Sequence, residues 1–287
     1  MKRVFVPTIN DDKMDFLKLF ELYRECFEDP VDIILDFSEC NFLRQNGVAF
    51  IGGILNLGYQ EGESILLDED TIKSNVKTNL CQNGFATRFF DEFVTPWTGN
   101  SIPYQEFSEN DFHSILPYLD EEWLGRGWMN IQEELKDDIV TRIYELFANS
   151  LEHSNSTVGC FSCGQNYNYR HELTLSLVDF GRGIPNTVLD HLKGEVTDTL
   201  DAMRWAITEG NSTREVSKTG YRGGMGLSLV QDFLTLNGGC MEIYSNDCLY
   251  GIKGEEIYFE KLDVNFRGTF VNIKLLRDSS FYGYQTN

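Results

Sequence analysis

From Ile131 to about Ser154 the chain carries a helical pattern with two distinct faces. At roughly 100° per residue, Leu135, Ile139, Ile143, Leu146, Phe147 and Ser150 fall together, while Glu145, Asn149 and Glu152 fall on the opposite side. A helix of this length needs a broad apolar layer to cover its first face. The stretches that follow can supply one. Leu173–Asp179 and Gly268–Leu275 read as strands, as does Cys240–Ser245, and helices are predicted near Asp198–Thr208 and Leu227–Leu236. The expected class is therefore α/β.

The first ninety or so residues read as a separate α/β unit. Val31–Asp36 is a buried-strand pattern, Asn46-Gly47 a turn, and Val48–Leu57 an apolar helix. Ser64–Leu67 is a short strand, and Ile72–Cys81 a helix that stops at Asn83-Gly84. Between Asp91 and Gly127 periodicity is lost and Pro96, Pro103 and Pro117 accumulate. The expected organisation is a first domain over 1–94, a linker over 95–127 and a second domain over 128–287.

Composition narrows the partners. A net charge of −21 and a pI near 4.5 argue against nucleic acid and anionic membranes, which reward clustered Lys and Arg. The opening MKRVFVPTINDDKMDF has no apolar run of signal-peptide or spanning length, which reads as cytoplasmic. Seven scattered cysteines suit reduced thiols. Cys160-Phe-Ser-Cys163 has zinc-like spacing, but no second such pair follows, so strand cysteines are the preferred reading.

Three stretches carry possible chemistry. In Glu145-Leu-Phe-Ala-Asn149 a carboxamide oxygen suited to Mg²⁺ stands one turn after a carboxylate able to orient or deprotonate a water. In Asp179-Phe-Gly181-Arg-Gly183-Ile184 an apolar strand ends in a carboxylate that could accept from the amino group of adenine, with glycines allowing close approach. In Gly220–Leu227, glycines 223, 224 and 226 open a helix, a ready phosphate cradle, with Arg214, Lys218, Arg222 and Met225 beside them. Taken singly, each also fits a plainer reading: a solvated helix face, a glycine turn, a surface loop with incidental charge. No P-loop motif is present.

In this order, Glu145-x₃-Asn149, Asp179-x-Gly181-x-Gly183, Gly224-x-Gly226-Leu227 and Arg267-Gly268-Thr269 together resemble the GHKL ATPase superfamily, which includes histidine kinases and anti-sigma serine kinases. The resemblance covers roughly Glu133 to Leu276. It implies a Bergerat-fold α/β sandwich that binds ATP and Mg²⁺. Asn149 would coordinate the metal, Asp179 would bind the adenine amino group, and Gly181, Gly183, Gly224 and Gly226 would shape the pocket. Thr269 would sit near the base, Ile184 to Gly223 would supply a lid, and Glu145 would be the general base.

The first unit resembles a STAS domain, the anti-sigma-factor antagonist fold, through Val31 to Ile54. Arg44 and Gln45 stand where that family has its aspartate and phosphorylated serine, so phosphorylation at this place is not expected. A generic strand-turn-helix unit is the alternative.

The expected function is an ATP-binding, slowly ATP-hydrolysing regulatory switch that acts on protein partners through the STAS-like unit, with an ATP-dependent homodimer as a further expectation. The domain pairing suggests a bacterial regulatory or conflict setting. A serine/threonine kinase acting on a separate STAS partner and a non-catalytic ATP sensor are the alternatives. A histidine kinase fits less well, because none of His113, His153, His171 and His191 lies in a recognisable dimerisation helix before the ATP unit.

Overall fold

The computed structural model describes residues 1–29, 31–90, 99–108, 111–208, 210–211 and 227–284. The chain opens with strand β1 (Lys2–Phe5), helix α1 (Lys13–Phe27), β2 (Ile33–Asp36), α2 (Gln45–Glu61) and β3 (Ile65–Asp68). These strands form a parallel sheet in the order β1-β2-β3, because each helical crossover returns the chain to the same end. Two short helices follow, α3 (Ser74–Gln82) and α4 (Phe85–Phe89).

The second part begins with β4 (Ser101–Phe107), α5 (Phe112–Pro117), a π-helical turn at Tyr118–Leu124 and β5 (Asn130–Ile131). The long helix α6 (Glu133–Glu152) leads into the hairpin of β6 (Cys160–Tyr167) and β7 (Glu172–Asp179). Helices α7 (Ile184–Leu192), α8 (Thr199–Ile207) and α9 (Ser228–Asn237) precede β8 (Cys240–Lys253), β9 (Glu256–Leu276) and β10 (Phe281–Tyr282). Its main sheet has the order β4-β6-β7-β9-β8, with every neighbouring pair antiparallel.

The twofold period of a strand sorts this sheet's residues onto two faces. Leu173, Leu175 and Leu177 of β7, with Val271, Ile273 and Leu275 of β9, meet the apolar stripe of α6. The alternate residues Val178, Tyr244 and Phe270, together with Phe180 and Phe266, meet Phe16 and Phe20 of α1 and Phe50 of α2. Helices α1 and α2 thus lie between the two sheets. Aromatic stacking joins them to the larger one: Phe16 on Tyr244 at 4.5 Å, Phe20 on Phe266 at 4.7 Å and Phe50 on Phe270 at 5.7 Å.

Polar contacts reinforce the same junction. The Arg44 side chain is 3% exposed; it pairs with Glu172 at 2.8 Å, reaches Asp11 at 3.4 Å and lies over the Tyr167 ring at 3.8 Å. Gln45 is buried beside it, and its carbonyl accepts from the Tyr167 hydroxyl at 2.9 Å. Any residue at position 45 would face the sheet rather than solvent.

Several expectations need correction. Asn46-Gly47 is not a turn but the first turn of α2, where the Asn46 amide donates to the Asn10 carbonyl at 2.8 Å. The described part of the expected linker is ordered. Within it β4 is an edge strand, where Pro103 is tolerated, and Pro117 ends α5. Strands β8 and β9 extend well past Ser245 and well before Gly268, forming an arm with a register shift at Ser245–Asn246.

Candidate functional site

The ends of three strands set out a row of polar side chains on the α6 face. Asp179, the last residue of β7, is directly opposite Thr269 of β9, which is opposite Ser245 of β8. All three are buried, Asp179 to 1% exposure. Its carboxylate accepts the Gly181 N–H at 2.9 Å, and Ser150 and Thr269 also hydrogen-bond to it. These partners are neutral, so burial dominates and pushes the carboxyl up to about 7 despite the lowering effect of those bonds. Burial and the nearby Asp179 charge also hold the Cys160 thiol well above its usual range.

The turn after Asp179 is pinned to the end of α6. The Arg182 N–H donates to the Ser154 carbonyl at 2.6 Å, and a Cβ at Gly181 would collide with that same carbonyl. Gly183 has φ +82°, and a side chain there would strike Asn246. Beyond it, the Ile184 N–H donates to Ser245 Oγ at 2.8 Å, and Ser245 Oγ donates to the Gly268 carbonyl at 2.7 Å. Asn246 accepts from the Asn186 N–H at 3.3 Å and donates to the Arg182 carbonyl at 3.0 Å. Helix α7 therefore starts from a fixed point beside the carboxylate.

On α6 the expected apolar stripe is buried, and Glu145 and Asn149 are half-buried on its other side. Asn149 immediately precedes Ser150, the residue that contacts Asp179. Glu145 lies one turn earlier, paired with Arg142 at 3.0 Å. Leu227 is buried at the start of α9 and belongs to the core shared with α6.

Of the residues expected to act, the structure brings Asp179, Gly181, Gly183, Ile184 and Thr269 together directly, and Asn149 through Ser150. Arg214, Lys218, Arg222, Gly223, Gly224, Met225 and Gly226 lie outside the described residues. Of the expected lid, Ile184 to Gly223, residues 184–208 and 210–211 are described and hold α7 and α8. Helix α8 rests on the β8–β9 arm: Thr199 donates to Asp247 at 2.6 Å, and the Arg204 guanidinium lies over the Phe259 ring at 4.4 Å.

Ser150 and Ser245 were missed as site residues. A signal existed for Ser150, a polar residue on an otherwise apolar stripe. None existed for Ser245, whose place depends on cross-strand register. Cys160 and Cys163 face opposite sides of β6, one in each core, so they cannot share a metal ion. Compared with protein-family models and with curated proteins, the chain matches none.

Proposed function

We propose that this chain binds ATP with Mg²⁺ and serves as a regulatory switch that turns the nucleotide over slowly and acts on protein partners. The observation that carries this reading is Asp179: a buried carboxylate with neutral hydrogen-bond partners, at the end of a sheet, tied through Ser150 to the helix that presents Asn149 and Glu145. Burying such a group against apolar packing is costly, and a ligand amino group that donates to it would offset part of that cost.

The residues present fit the adenine end of the ligand. A side chain at position 181 would press on Ser154 and one at 183 on Asn246, so the turn beside the carboxylate accepts only glycine at these two places. Asn149 offers a hard oxygen for Mg²⁺, which when bound would neutralise phosphate charge. Thr269 holds Asp179 from across the strand pair. Glu145 would orient or deprotonate a water, and its ion pair with Arg142 engages one carboxylate oxygen, in keeping with slow turnover.

The burial of Gln45 and Arg44 at the junction favours a second reading only in one form. Were the chain a kinase, its acceptor would lie on another protein. Incubation with γ-labelled Mg·ATP separates these readings. Released phosphate that is lost in Glu145→Ala, while nucleotide binding persists, is the expected result. Label transferred to a separate STAS-type partner would instead establish the kinase. Binding without phosphate release or transfer would leave a sensor.

A further inference from the structure

We infer that helix α2 takes part in purine recognition, with Gly53 and Phe50 acting as positioning residues on Asp179 through Phe180; this rests on the nucleotide reading above. Asp179 and Phe180 are consecutive at a strand end, so their side chains leave on opposite faces. The carboxylate enters the polar row with Thr269 and Ser245. The ring, only 6% exposed, enters the junction with the N-terminal unit, 5.3 Å from Phe50 and 5.7 Å from Phe266.

The fit there is close. At Gly53 a Cβ would fall on the edge of the Phe180 ring and press on Phe161, so α2 approaches at this point only because residue 53 has no side chain. Asp179 is also the last residue of β7 paired to β9. Beyond it the chain enters a turn whose residues 181 and 183 are glycines without side-chain anchors. Phe180 is therefore the side-chain anchor between the end of the ladder and that turn, beside the backbone contacts of Arg182 and Ile184, and its seat against α2 helps to aim Asp179.

The same alternation recurs along the row. Thr269 is followed by Phe270, which stacks on Phe50, and Ser245 is preceded by Tyr244, which stacks on Phe16. Each polar member of the row has a chain neighbour held by the N-terminal unit. A change in how α2 sits would thus reach the purine end directly, without any hinge between the two parts.

The test measures equilibrium binding of Mg·ATP and Mg·ITP to the full chain by titration calorimetry, with melting temperatures recorded alongside. ITP carries a carbonyl where ATP carries the amino group, so the ratio of the two affinities reports on Asp179 rather than on phosphate contacts. Gly53→Ala should weaken ATP about tenfold while moving ITP by no more than about twofold, collapsing the ratio. Adding Phe180→Leu to that variant, which removes the ring edge the new methyl would strike, should restore part of the ratio. An unchanged ratio in Gly53→Ala, even with a lowered melting temperature, would overturn the inference and reduce the contact to packing. If Gly53→Ala does not fold, Phe50→Leu carries the same expectation and the same contrary result. Binding of neither nucleotide by the wild-type chain would overturn the nucleotide reading and this inference with it, whereas wild-type discrimination that survives in the variants would overturn this inference alone.

Discussion

At the scale of one residue, the proposed nucleotide site makes Asp179 a trade between stability and binding. Its carboxyl ionises at about 7 in the folded chain, against 3.8 for an unperturbed aspartate. A carboxyl raised in this way contributes stability that is complete below the unfolded value and lost as pH rises through the folded one. Melting followed from about pH 5 to about pH 8 should therefore show a loss on the order of a few kcal/mol that is absent in Asp179→Asn. The proposed nucleotide binding should have the opposite sign, because an amino donor is accepted best by the ionised form. ATP affinity should rise roughly tenfold per pH unit up to about pH 7 and then level off, as read by calorimetry across that range. Gly181→Ala makes a steric test of the same corner. Its methyl would press on the Ser154 carbonyl, and a stability loss of about 1–3 kcal/mol with loss of nucleotide binding is expected from urea melts and titration. Asp179 and its glycines were legible because an apolar run ends abruptly in them. Ser245 was not, since nothing local tells a strand which residue its neighbour will present.

Among the elements, α2 decides how the molecule is put together. Thirteen of its seventeen residues are buried, which a helix covered on one side alone does not require. Its apolar character was plain in Val48–Leu57, but the identity of what covers it was not, because a helix buried on both sides carries no polar stripe to orient it. The sequence pattern shortens the β8–β9 arm for the converse reason: Asp247, Lys253, Glu256 and Lys261 break the apolar alternation, and their strands are held by pairing to each other. Phe50, at the centre of the ring cluster, should cost about 3–5 kcal/mol as Phe50→Ala, measured by urea denaturation. Arg44→Ala should cost about 1–3 kcal/mol, since it leaves Glu172 without the guanidinium while Asp11 keeps Lys274 at 2.6 Å. A loss below about 0.5 kcal/mol in either variant would contradict the packing described.

At the scale of the whole molecule, one core cluster draws on α1 and α2 of the first part as well as on β7, β8 and β9 of the second. Calorimetry should accordingly show one unfolding transition, with equal calorimetric and van't Hoff enthalpies. A chain limited to residues 128–287 would expose Tyr244, Phe266 and Phe270 and should aggregate rather than fold; two separate transitions, or a soluble folded fragment, would count against a shared core. The most direct measurement of all is titration of Mg·ATP into the full chain and into Asp179→Asn at about pH 8, where the carboxylate is ionised. Saturable binding to the wild type that weakens at least about tenfold in Asp179→Asn is the expected result. No binding to the wild type, or binding that Asp179→Asn leaves unchanged, would contradict a nucleotide site built around this carboxylate.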